Sequence, residues 1–300
     1  MLHCTDLNYF YGSTQRLKDV SLRAQASSLI GLFGHNGAGK TTLLKMLGGS
    51  FPVMRGRVHL FDRPALDKRG FLQAALRSKV GALFQGTSSD EKLSAHHNLV
   101  YAARLMGVRK TEIQQLVTET LTWSELSHRA CEPIKKFSHG MRRRLELYRA
   151  FMHKPSLVLL DEPTAGLDVG ESAKFFSFLK NYQREHQALV IMSSHRPEEM
   201  MKCDRVLMMK DGQVITDQPP DMLLKDLNYL LVSISSDENA SVAHPYFYDI
   251  KKGCSENLLR AKVQSCYLDE FLKSPLLTDC RVRAFSVERP TIADAYEDLL

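Results

Sequence analysis

Leu29-Ile30-Gly31-Leu32-Phe33-Gly34-His35-Asn36-Gly37-Ala38-Gly39-Lys40-Thr41 runs from five apolar residues straight into the pattern G-x-x-x-x-G-K-[ST]. Gly34, Gly37 and Gly39 allow backbone conformations closed to other residues, so successive N–H groups can approach phosphate oxygens. Lys40 adds a point charge for the β- and γ-phosphates, and Thr41 offers a hydroxyl to a magnesium ion. The following Lys40-Thr41-Thr42-Leu43-Leu44-Lys45-Met46-Leu47 holds good helix formers and stops at Gly48-Gly49. The loop is therefore expected to feed a helix N-terminus, where an anion gains roughly 0.3–2 kcal/mol. These residues predict a nucleoside-triphosphate site between a buried strand and a helix.

Such a loop serves kinases, GTPases, motors and transporters alike, and the choice among them lies further along the chain. In Ser156-Leu157-Val158-Leu159-Leu160-Asp161-Glu162-Pro163-Thr164 an apolar run ends in two carboxylates, as in a buried parallel strand that delivers acids at its C-terminal edge. Asp161 is then placed to hold magnesium through its water shell, and Glu162 to polarise an attacking water. Thr164-Ala165-Gly166-Leu167-Asp168 follows at once, and a second apolar stretch, Ala188–Met192, ends in Ser193-Ser194-His195.

With these elements in this order, residues 1 to about 220 resemble the ATP-binding subunits of ABC transporters. The resemblance implies an α/β fold: a P-loop NTPase of ABC type, with a RecA-like core, an antiparallel β subdomain and an inserted α-helical subdomain, followed by a small α+β C-terminal domain. It implies ATP and Mg2+ as ligands. Tyr11 would stack on adenine, while Gly34, His35, Asn36, Gly37, Ala38, Gly39, Lys40, Thr41 and Thr42 would hold the phosphates. Thr41, Gln85 and Asp161 would attend the metal, with Gln85 also sensing the γ-phosphate. Glu162 would be the catalytic base, His195 the switch histidine on the γ-phosphate, and Asp168 part of the loop that crosses a dimer.

Phe137-Ser138-His139-Gly140-Met141 stands where that family carries Leu-Ser-Gly-Gly-Gln, so Ser138 and Gly140 would meet the γ-phosphate bound by a second copy. His139 replaces the first glycine and Met141 the glutamine, and Met141-Arg142-Arg143-Arg144 resembles the exporter branch. The ending Pro290-Thr291-Ile292-Ala293-Asp294-Ala295-Tyr296 resembles that of bacterial drug- and polymer-exporting ATPase subunits. The implied working unit is an ATP sandwich of two copies, or of one copy and a homologous ATPase, at the cytoplasmic face of a membrane beside a separate permease. The alternatives are an import-type ABC ATPase and a soluble ABC ATPase acting on ribosomes or DNA.

Composition agrees with this reading. The chain has 300 residues, 25% of them charged and 44% hydrophobic, as in ordinary soluble domains. A net charge of +6 is modest and predicts no nucleic-acid groove. Six cysteines (Cys4, Cys131, Cys203, Cys254, Cys266, Cys280) lie scattered without a C-x-x-C pair, which predicts reduced thiols. No window approaches the ~18–20 apolar residues needed to cross a bilayer, and the N-terminal residues do not read as a signal peptide.

Short strands such as Arg57–Phe61 are expected in residues 1 to about 84, and helices in about 86–153. Thr111 with Gln114 reads as a capping box opening a helix whose buried face carries Ile113, Leu116, Val117 and Leu121. Met141, Leu145, Tyr148 and Met152 mark the next helix, ended near Pro155. Pro219-Pro220 marks the boundary between a nucleotide-binding domain (1–220) and an accessory domain (221–300). In the latter, Tyr229–Ile234 and Arg281–Val287 read as strands, and Tyr267–Lys273 and Thr291–Leu300 as helices.

Overall fold

Alternating apolar side chains make β1 (Leu2–Tyr11) and β2 (Thr14–Ala24) antiparallel partners with one buried face, where Leu2, Leu7, Leu17 and Leu22 pack. β3 (Leu29–Phe33) is buried throughout and leads through the glycine loop into α1 (Lys40–Leu47). β4 (Arg55–Leu60) returns beside β1, and β5 (Arg63–Pro64) completes a four-stranded sheet in the order β2-β1-β4-β5. The expected Arg57–Phe61 strand stops one residue short, because Phe61 and Asp62 turn the chain with φ of 53° and 60°. This computed structural model describes residues 1–86, 89–225, 227–236, 244–252, 258–278 and 282–300.

After α2 (Ala74–Arg77) and β6 (Val80–Leu83), three helices follow: α3 (Ala95–Leu105), α4 (Lys110–Trp123) and α5 (His139–Arg149). Ile113, Leu116, Val117 and Leu121 of α4 share one core with Leu99 and Leu145, as their spacing predicts. The start of α4 corrects the expected cap. Arg109, in extended conformation, holds the N-cap position without a side-chain cap, and Thr111 already lies inside the first turn. A hydroxyl there lies two positions past the N-cap, too late to receive the free N–H groups, and an Arg109–Glu112 ion pair spans the turn instead. A capping box does form at Thr291 with Asp294. The helix that follows Ser138 is also shorter than expected. α5 ends at Arg149, after which Ala150, Phe151 and Met152 donate to carbonyls three residues back, while Met152 still packs in the same core.

β7 (Leu157–Asp161), α6 (Val169–His186), β8 (Leu189–Ser193), α7 (Pro197–Met200), β9 (Arg205–Lys210) and β10 (Gln213–Gln218) complete the first unit. Its central sheet runs β10-β9-β3-β8-β7-β6, parallel except at the β10 edge. Every residue of β3, β7 and β8 is buried, as expected for strands covered on both faces. Ile191, 0% exposed in that sheet, packs with Ile30, Leu43 and Leu159. Ile191→Ala is expected to destabilise this unit by about 2–5 kcal/mol. Urea unfolding followed by the fluorescence of Trp123, the one tryptophan, measures it; a loss below about 1 kcal/mol would contradict this packing.

Two compact units make up the chain, Met1–Gln218 and Pro219–Leu300. The second contains α8 (Pro220–Lys225), β11 (Tyr229–Ser236), β12 (Phe247–Lys252), β13 (Leu258–Gln264), α9 (Leu268–Leu272), β14 (Val282–Glu288) and α10 (Ile292–Asp298). Its antiparallel sheet runs β12-β13-β11-β14 over a small core of Val232, Ile234, Phe247, Val263 and Phe271. Arg281, expected to open the last strand, lies outside the described residues, as do Cys254 and Cys280. Cys4, Cys131, Cys203 and Cys266 are free thiols.

Candidate nucleotide site

Parallel strands put their C-terminal ends on one side of a sheet, and here β3, β6, β7 and β8 open there together. β3 delivers the phosphate loop. Gly39, the N-cap of α1, has φ of 106°, and a Cβ on it would stand 2.8 Å from Leu17 Cδ2. Gly34 is tighter still, since a Cβ would lie 2.3 Å from the Met209 carbonyl oxygen. Lys40 is 7% exposed, and its Nζ donates to the carbonyls of Gly34 at 2.5 Å and His35 at 3.1 Å. Burial draws its ammonium below the ordinary lysine value, and the nearby Glu162 and Asp161 carboxylates oppose that fall.

β7 ends on Asp161, which is 1% exposed and receives the Thr41 hydroxyl at 2.9 and 3.0 Å. Ser193, paired with Asp161 across β7 and β8, donates its hydroxyl to Asp161 Oδ1 at 2.7 Å and accepts the Glu162 N–H at 3.0 Å. Glu162 itself is turned into the left-handed region with φ of 49°. That turn brings its Oε2 to 3.0 Å from His195 Nδ1, in the loop after β8. Arg143 of α5 donates from Nη2 to the main-chain oxygens of Asp161, at 3.2 Å, and of Glu162. Burial holds the Arg143 guanidinium below its usual value, against the pull of Glu146, Asp161 and Glu162.

A cleft of about 450 Å³ gathers Tyr11, the loop from Asn36 to Thr42, Gln85, Asp161 and Glu162. Gly34 and His35 contribute carbonyls behind it rather than wall. Of the three neighbouring rings, Tyr9 is buried and stacked on Phe51, whereas Tyr11 is 53% exposed at the mouth. A second cleft, of about 560 Å³, shares Asn36, Gln85 and Glu162 and adds His195, His139 and Gly166. Ser138, Gly140 and Asp168 line neither cleft. Ser138 caps α5 by accepting the Met141 N–H at 3.2 Å, and Asp168 caps α6 in a reciprocal box with Glu171. His139 lies against Gly166, where a Cβ would meet its ring at 3.1 Å.

Thr14 and Arg16 in the wall of the first cleft escaped the sequence reading, as did Ser193 and Arg143 as orienting groups. Only Ser193 left a signal, a hydroxyl at the end of an apolar run.

The family profile described as ABC transporter matches residues 17–165. The ABC transporter ATP-binding protein NatA of Bacillus subtilis is 32% identical over 224 residues, spanning 72% of this chain and 89% of the relative. This chain belongs to the ABC transporter ATP-binding proteins. A Nod factor export ATP-binding protein I from Burkholderia lata is 30% identical over 215 residues, covering 72% of this chain and 69% of the relative. Among solved structures, a dimeric post-hydrolysis ATP-binding cassette bound to ADP and Pi superposes with a TM-score of 0.66 at 24% identity, over 73% of this chain and 98% of that one. This ABC ATP-binding protein is thus the ATP-binding and ATP-hydrolysing subunit of a transporter, with the α/β cassette fold. Among its described residues no helix is long and apolar enough to cross a membrane.

Proposed function

We propose that this chain drives an export-type ABC transporter, pairing with a second copy or a homologous ATPase around two ATP molecules at the cytoplasmic face of a membrane and moving a separate permease. The contact of Glu162, in the wall of the phosphate-loop cleft, with His195 of the adjoining cleft carries the hydrolytic half of the reading. Tyr11 stacks on the adenine, and Lys40 with the loop N–H groups holds the phosphates. Glu162 takes a proton from the attacking water, and His195 spans from Glu162 to the γ-phosphate.

Mg2+ fits the donors present. Thr41 and Asp161 already touch through oxygen, and Gln85 faces the same cleft. Among the described residues there is no cluster of three or more His, Cys, Asp or Glu side chains poised around a metal. When bound, that ion neutralises charge on the β- and γ-phosphate oxygens.

Ser138, Gly140 and Asp168 stand at two helix N-termini outside the chain's own phosphate cleft, which supports their service to a partner's nucleotide. The Met141–Arg144 segment and the similarity to a Nod factor export protein support export. The test is to tag the chain, extract membranes in mild detergent and identify what co-purifies. A multispanning permease in near-equal amount is the expected result. Ribosomes or DNA without a membrane protein would overturn it in favour of a soluble ATPase.

A further inference from the structure

Glu199 on α7 carries a carboxylate that hydrolysis as described above does not use. It is 2% exposed, and its Oε1 receives the hydroxyl of Thr164, itself 1% exposed, at 2.6 Å. Its Oε2 has no hydrogen-bond partner, and the nearest cation, Arg196 Nη1, stands 3.6 Å from Oε1. Burying a carboxylate this way is unfavourable, and an apolar pair of similar shape is often at least as stabilising. Stability alone gives little reason for the contact.

Its place in the chain gives a better one. Thr164 comes two residues after Glu162, and Glu199 four residues after His195. The turn after β7 and the loop after β8 are thus tied at two points. Ser193 binds Asp161 and the Glu162 N–H on one side of the catalytic pair, and Thr164 binds Glu199 on the other. Between the ties sit the left-handed Glu162 and a His195 side chain that is 66% exposed, with little packing to hold it. Backbone anchorage must therefore supply the separation of the two side chains. We propose that the Thr164–Glu199 hydrogen bond is a positioning contact that sets the distance between Glu162 and His195, with neither residue touching the nucleotide. This rests on the catalytic reading of Glu162 and His195 given above.

The test uses the full chain and the variants Thr164→Val, Thr164→Ser, Glu199→Ala and Glu199→Gln, with Glu162→Gln and His195→Ala as references. A misplacement of about 1 Å at a reacting pair lowers turnover by up to ~10²-fold. Thr164→Val and Glu199→Ala are expected to lower kcat about tenfold or more, with KM and ATP Kd within about twofold of wild type. The double variant is expected to be no slower than the slower single, because both remove one contact. Thr164→Ser keeps the donor and Glu199→Gln keeps an acceptor oxygen, so both are expected to stay within about threefold of wild type. Turnover that survives Glu162→Gln overturns the catalytic reading and this proposal with it. Wild-type kcat in Thr164→Val while Glu162→Gln is inert overturns the positioning contact alone. So do losses that add in the double variant, or losses in Glu199→Ala that follow weakened ATP binding.

Discussion

Glu162→Gln is expected to lower ATP turnover by about 10²–10⁴-fold while ATP stays bound. The amide keeps the shape of the side chain and an oxygen that can accept from His195 Nδ1, 3.0 Å away in the wild type. It cannot take up the proton of an attacking water at neutral pH. In the proposed cycle closure needs nucleotide and reopening needs hydrolysis, so the variant should accumulate with ATP as a closed pair. Phosphate release gives the rate, and light scattering with and without ATP gives the stoichiometry. Activity within about twofold of wild type would show that Glu162 is not the base.

Lys40→Ala acts earlier, at binding. The wild-type ammonium is buried against the carbonyls of Gly34 and His35, on the floor of the phosphate loop. Truncation removes the loop's lysine cation together with its hydrogen bonds to those carbonyls. A charge-assisted hydrogen bond contributes about 1.5–3 kcal/mol, so ATP affinity is expected to fall roughly 10- to 150-fold. Titration calorimetry reads the change directly, and an unchanged Kd would contradict the assignment. The two variants separate the steps, since one binds without turning over and the other fails to bind.

The phosphate loop was legible because its chemistry is local. Consecutive residues from Gly34 to Thr41 form one loop between β3 and the start of α1, so spacing along the chain is spacing in space. The strands ending at Phe33, Asp161 and Ser193 were legible too, as apolar runs that stop at polar residues. Helix ends were less so. The supposed cap at Thr111 failed because a threonine-to-glutamine spacing does not say which residue takes the extended N-cap conformation; Arg109 does. Met152 kept its place in the core but lost its helix, since burial follows the neighbours and not the hydrogen-bond ladder alone.

What the sequence determined by itself was the kind of fold and the inventory of reactive groups: a glycine loop between strand and helix, two carboxylates at one strand end and a histidine beyond another. What only the tertiary structure decided was who holds those groups in place. Arg143 reaches the carbonyls of Asp161 and Glu162 from a helix in another layer, and Glu199 reaches Thr164 across 35 positions of chain. Thr14 and Arg16 enter the cleft from the antiparallel sheet. The reason is that a parallel sheet orders its strands as β9-β3-β8-β7-β6, so residues distant in the chain become neighbours at one edge. No local pattern encodes that order.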